Sequence, residues 1–145
     1  MSVEEIKINN QLLAIILRSN FDKEGIHFFS PENFSQQLGY MKRPKNHIIS
    51  PHVHNYVSRE VQYTKEVLFI KSGKVRVDFY DDQKNYLESR ILSSGDVILL
   101  AYGGHGFEMI ETTEMIEVKQ GPYVGDSDKT KFEHAVTKEE IKIKK

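Results

Sequence analysis

Short apolar runs recur between residues 66 and 119, each cut off by a polar or glycine turn, and this segmentation most constrains the fold. Val75, Val77 and Phe79 alternate with Arg76, Asp78 and Tyr80. A period of two puts successive side chains on opposite faces of a strand. The polar stretch Asp81-Asp82-Gln83-Lys84-Asn85 ends that strand, and residues 86–92 read as its return. Ser93-Ser94-Gly95-Asp96 supplies the next turn, where glycine can take positive φ. Residues 97–100, Val-Ile-Leu-Leu, have no polar face and predict a strand buried on both sides. Residues 66–70 predict a strand closed by Lys71-Ser72-Gly73. Residues 107–110 and 115–119 predict a hairpin across Glu111-Thr112-Thr113-Glu114. Many short strands at close spacing predict an all-β fold, an antiparallel sandwich or barrel.

The flanking segments are read by the same rules. Residues 47–54 predict a strand entered through Arg43-Pro44-Lys45-Asn46, with Pro51 marking an edge or a bulge. Residues 6–17 leave two readings open. Leu12, Ile15 and Ile16 allow a helical stripe, whereas the isoleucine content favours a strand. Ser30-Pro31-Glu32 predicts the start of a short helix. After Pro122 polarity rises. Residues 125–130 read as a loop, and residues 131–145 as a strand, a short helix or a mobile tail.

A chain of 145 residues is most economically one domain. Residues 37–124 are assigned to a barrel, 1–36 to a short N-terminal extension packing on it, and 125–145 to a C-terminal tail. The absence of cysteine excludes disulfides, thiolate zinc sites and cysteine nucleophiles. Twenty basic and 21 acidic residues give a net charge of −1, which argues against a nucleic-acid partner. The first ten residues are polar, unlike a secretory signal, and the apolar run 12–17 is too short to span a bilayer. A soluble cytoplasmic protein with no membrane partner is therefore expected. Small barrels with free strand edges pair with copies of themselves, so a homodimer is expected too.

The chemistry centres on His52-Val53-His54. Two histidines one residue apart on a strand point to the same side. Glu66 and His105 can add an anionic oxygen and a third nitrogen, a donor set that suits a divalent transition metal such as Zn, Fe, Ni or Mn. Phe107 shares parity with His105. Phe107, Tyr102, Tyr123 and Glu117 are candidates for lining a substrate pocket. His27, His47 and His134 read as surface or structural residues. Glu108, of opposite parity to His105, reads as exterior or supporting, and the Gly103-Gly104-His105-Gly106 run as turn geometry.

The histidine pair and the glycine turns together resemble the cupin family over roughly residues 37–120. Its first motif runs glycine, five residues, His-x-His, three or four residues, glutamate, six residues, glycine. His52, His54, Glu66 and Gly73 match it. Asn46 stands in the leading glycine position, and eleven residues separate His54 from Glu66. Glu60 is a competing carboxylate without a glycine seven residues later. The second motif runs glycine, five residues, Pro-x-Gly, two residues, histidine, three residues, asparagine. Gly95 and Gly103 fit, Ala101 takes the proline position, His105 comes one residue early and Met109 replaces the asparagine.

The resemblance implies a double-stranded β-helix barrel holding one divalent metal on His52, His54, Glu66 and His105. Within the family the chain looks most like small cupins of bacterial surface-sugar pathways. The expectation is a metal-dependent enzyme, such as a dioxygenase, isomerase or lyase, acting on a carbohydrate, sugar nucleotide or other small polar metabolite. Two alternatives stand beside it. One is a metal-independent isomerase or epimerase using a barrel histidine as base; the other is a non-catalytic module that binds a small molecule.

Overall fold

The computed structural model describes residues 2–133 and 137–145. The strands are β1 (Val3–Ile8), β2 (Gln11–Leu17), β3 (Gly25–Phe28), β4 (Gly39–Lys42), β5 (Glu66–Ser72), β6 (Lys74–Tyr80), β7 (Tyr86–Ser93), β8 (Val97–Leu100), β9 (Gly104–Met109) and β10 (Glu114–Lys119). Two short 3-10 turns, Gly125–Asp128 and Lys138–Glu140, are the helical elements among the described residues. The all-β expectation holds at this level. No helix among the described residues is long and apolar enough to cross a membrane.

The strands form three antiparallel sheets. One has the order β1-β2-β8-β5-β10, a second β7-β6-β9, and a third is the β3-β4 hairpin. None closes on itself as a barrel. Apolar side chains of the first two sheets meet in the main core, where Ile16, Leu68, Ile70, Ile98 and Leu100 join Val75, Val77, Phe79 and Leu92. The five-stranded sheet has a second buried face. There Ile15 and Leu99 pack with Leu38, Phe29 and Phe34 from the segment around the β3-β4 hairpin. That double coverage is why β8 needs apolar residues at every position, as its sequence predicts.

Residues 6–17 resolve into a two-strand hairpin. Asn9 and Asn10 both adopt left-handed backbone, with φ of 51° and 66°. Asparagine tolerates that region, and two such residues in succession match the tight turns that join twisted strands. β2 then pairs with β8 from Ala14↔Leu100 to Leu17↔Val97. Residues 3–17, grouped by sequence with an N-terminal extension, thus contribute two strands to the central sheet. At the other end, the Ser89 and Lys144 amides donate to Lys142 and Ser89 carbonyls, at 2.8 and 3.0 Å, and so seat residues 142–144 on β7.

Three expectations are corrected. The region 107–119 is not a hairpin, because β9 pairs with β6 while β10 pairs with β5 in the other sheet. Thr113 holds this crossing: its hydroxyl donates to the Lys74 carbonyl at 3.0 Å and accepts from the Lys74 amide at 3.1 Å. No helix starts at Ser30. The Ser30 hydroxyl accepts from the Leu38 amide at 2.9 Å, and the Gln37 side-chain amide donates to the Pro31 and Phe34 carbonyls, so local side-chain bonds hold a compact loop instead. Residues 47–54 form no strand. The whole stretch between β4 and β5 lacks strand pairing, and residues 43–63 are exposed. A strand needs a neighbouring strand for its amides and carbonyls, and the described residues provide none beside residues 47–54.

Candidate functional site

β5 and β10 are paired with Glu66 opposite Lys119 and Leu68 opposite Glu117. Residues 66, 68 and 70 share one face of β5. Leu68 and Ile70 are buried, and Glu66 ends the row at the rim of the core. Glu117 lies diagonally across from Glu66 on that face, within reach of its side chain. β9 belongs to the opposite sheet, with His105 opposite Phe79. His105 and Glu66 meet across the gap, Nε2 to Oε1, at 2.8 Å.

The electrostatics separate the two carboxyls. The hydrogen bond from His105 holds Glu66 down to about 2, against the opposing effect of burial, with Glu117 and Lys119 assisting. Glu117 moves upward, because it shares a hydrogen bond with Glu66, is partly buried and faces Glu66's charge. One carboxyl is thus ionised at neutral pH, and its neighbour keeps a proton to higher pH than usual. An ionised carboxylate can only accept, so Nε2 of His105 carries the shared proton. In the neutral ring Nδ1 is left as the basic position.

These groups open into a cavity of about 930 Å³ whose wall also includes Tyr80, Tyr102 and Phe107. The Phe107 ring meets His105 edge-on, with centroids 5.6 Å apart. Tyr102 is held by edge contacts with Phe34 and Tyr63, and Lys65 Nζ sits 4.5 Å above its ring. A smaller hollow of about 380 Å³ lies beside Glu4 and Arg18. Those charges are committed to an ion-pair chain, Asp96–Arg18–Glu4–Arg90, that ties β1 and β2 to β7.

Five of the sequence candidates therefore gather here: Glu66, His105, Phe107, Tyr102 and Glu117. Tyr123 is exposed and does not line the cavity. His52 and His54 lie elsewhere, on the exposed stretch between β4 and β5, with ring centroids 5.3 Å apart. Nδ1 of His52 is 2.8 Å from the Ser50 carbonyl. Glu60 lies on the same exposed stretch. Among the described residues no three His, Asp or Glu side chains are grouped to hold a metal ion. Ligands of first-row metals must converge within about 2 Å of one point. The donor set implied by the cupin resemblance is split in two within one chain and does not fit the ion.

His27 contacts the Glu24 carbonyl at 2.7 Å, His47 is exposed, and His134 lies outside the described residues. Glu108 turns away from the cavity to pair with Arg76 at 2.6 Å. Asp78 and Tyr80 also line the cavity and had no sequence signal as site residues. They occupy the polar parity of β6, yet both are buried. Comparison of the chain with known families, with curated proteins and with solved structures yields no match.

Proposed function

We propose that the cavity binds a small polar metabolite of the carbohydrate or sugar-nucleotide class, and that His105 moves a proton on it, as in a keto-sugar isomerase or epimerase. The observation that carries this reading is the 2.8 Å contact between His105 and the ionised Glu66 at the cavity wall. A carboxylate behind an imidazole fixes its tautomer and stabilises the imidazolium that forms on proton uptake. Nδ1 of His105 takes a proton from a carbon beside a carbonyl, and the electron pair moves onto the carbonyl oxygen. Glu117, which retains its proton to higher pH, donates to that oxygen. Return of the proton from His105 to the former carbonyl carbon, as Glu117 takes back the hydroxyl proton from the first carbon, completes an isomerisation; in an epimerisation a proton returns to the opposite face of the first carbon as Glu117 recovers its proton from the enol oxygen. Phe107 and Tyr102 offer flat apolar surface for a sugar ring.

The cupin reading of the fold belongs to the same proposal. Its support is the opposition of a five-stranded and a three-stranded sheet, with Gly73, Gly95 and Gly103, the motif glycines, all at positive φ. The test is hydrogen exchange. Nucleotide-linked keto-sugars incubated with the protein in heavy water should gain deuterium beside the carbonyl, read by mass spectrometry. His105→Ala should abolish the gain, and Glu66→Gln should slow it by about a hundredfold, within the range of general acid–base effects. Exchange that is unchanged in His105→Ala defeats the proposal.

A further inference from the structure

After β10 the chain passes from one sheet to the other. The Gln120 amide donates to the Lys65 carbonyl at 3.0 Å, next to β5, and residues 142–144 are seated on β7. Between these points Asp128, Lys131 and Phe132 form part of the cavity wall. The outer side of this crossing faces water, since residues 121–133 are exposed apart from Gly125, Asp128 and Phe132. Among the described residues from 121 to 141, no backbone hydrogen bond ties it to a strand. Side chains hold it instead. The Thr64 hydroxyl donates to Asp128, and Lys119 Nζ lies 3.4 Å from the same carboxylate. The Phe132 ring meets Tyr80 edge-on, with centroids 5.1 Å apart. It also rests against Gly104, where a Cβ would come within 3.1 Å of the ring. A segment with few buried contacts and no ladder hydrogen bonds lies at the low end of local stability.

We infer that residues 126–132 are a lid on the cavity, and that Phe132 is the latch that holds it shut. The seat of the latch is a cross-strand pair. Tyr80 of β6 stands opposite Gly104 of β9, so one partner offers a ring and the other offers the space beside it. Any side chain at 104 would fill that notch. Gly104 also adjoins His105, so lifting the Phe132 ring uncovers the base. The lid has two places to bend. A Cβ at Gly121 or at Gly125 meets nothing within 4 Å, and both lie between β10 and the attached part of the lid. An edge-on aromatic contact and one hydrogen bond to a carboxylate together favour the shut form by about a hundredfold. That leaves the lid closed during a proton transfer, which water would otherwise intercept, and still open often enough for exchange of ligand.

This inference rests on the reading of the cavity as the working site, and its test needs no substrate. Diethyl pyrocarbonate acylates imidazole, and peptide mass spectrometry reads each histidine separately. His105 faces the cavity, whereas His52 and His54 are exposed and serve as internal standards. The chain has no cysteine, so an introduced pair of thiols is unambiguous. Thr64→Cys with Asp128→Cys, whose native side chains touch, can be bridged by a short bis-methanethiosulfonate. The control is the same variant with each thiol capped singly by methyl methanethiosulfonate. The bridge should slow acylation of His105 about tenfold or more against that control and leave His52 and His54 unchanged. Phe132→Ala should speed it about tenfold in the otherwise native chain. A His105 rate that ignores the bridge, or a Phe132→Ala rate equal to that of wild type, overturns the lid. If the bridge protects His105 but His105→Ala leaves deuterium uptake untouched, the lid stands and the proposed chemistry falls. If uptake requires His105 but the bridge gives no protection, the chemistry stands and the lid falls.

Discussion

Glu66→Gln removes the charge that His105 donates to and keeps the shape of the side chain. In the folded protein Glu66 is brought from an ordinary value of 4.5 to about 2. A displacement of that size corresponds to about 3 kcal/mol between protonation states. Two things reduce it. Glu66 stands at the rim of an open cavity, where solvent screens its partners. The substitution also relieves Glu117, which is pushed in the opposite direction by the same neighbour. The expected net loss at neutral pH is about 1–1.5 kcal/mol, or a few degrees in Tm for a chain of this size. The sign of the pH dependence follows from a folded value below the unfolded one. The stabilisation is complete above about pH 4.5 and disappears as pH falls toward about 2. Urea unfolding of wild type and variant at a series of pH values should show two curves that converge on acidification. A gap that stays constant through that range, or a variant more stable than wild type at neutral pH, refutes the ionised pair.

Gly73 and Asp78 provide two further checks by urea denaturation. Gly73 sits at φ +91°, where a Cβ would lie 2.1 Å from the Thr112 carbonyl oxygen, so Gly73→Ala should cost about 3 kcal/mol or more; Gly125→Ala, also at positive φ but in open space, should cost only about 1 kcal/mol. Asp78 takes two hydrogen bonds from the buried Arg76, at 2.8 and 3.0 Å, while Glu108 holds the same guanidinium at 2.6 Å, so Asp78→Ala should cost about 1.5–3 kcal/mol, a loss under about 0.5 kcal/mol counting against the pairing.

The strands from 66 to 100 are legible because local pattern and local turn chemistry agree. β6 alternates, Gly73 and Gly95 sit at positive φ, and β8 is apolar throughout because both of its faces are covered. β1 and β2 are less legible from apolar spacing alone, since Leu12, Ile15 and Ile16 satisfy a helical period as well as a strand. The Asn9-Asn10 turn decides the matter. β9 and β10 mislead because a four-residue gap is long enough for a hairpin. Whether two successive strands pair depends on which other edges compete for them, and here β6 and β5 win. That choice is made by the assembled core and has no signature in residues 104–119.

Parity carries most of the candidate site. His105 and Phe107 share a face of β9, Glu66 and Leu68 share one of β5, and register brings Glu117 beside Glu66. His52 and His54 obey the same rule, and that is where its reach ends. A spacing of i and i+2 states that two side chains share a face of whatever strand they form. It does not state which sheet receives that strand, nor which molecule the sheet belongs to. The eleven residues before Glu66 are long enough to uncouple the histidine pair from its own β5.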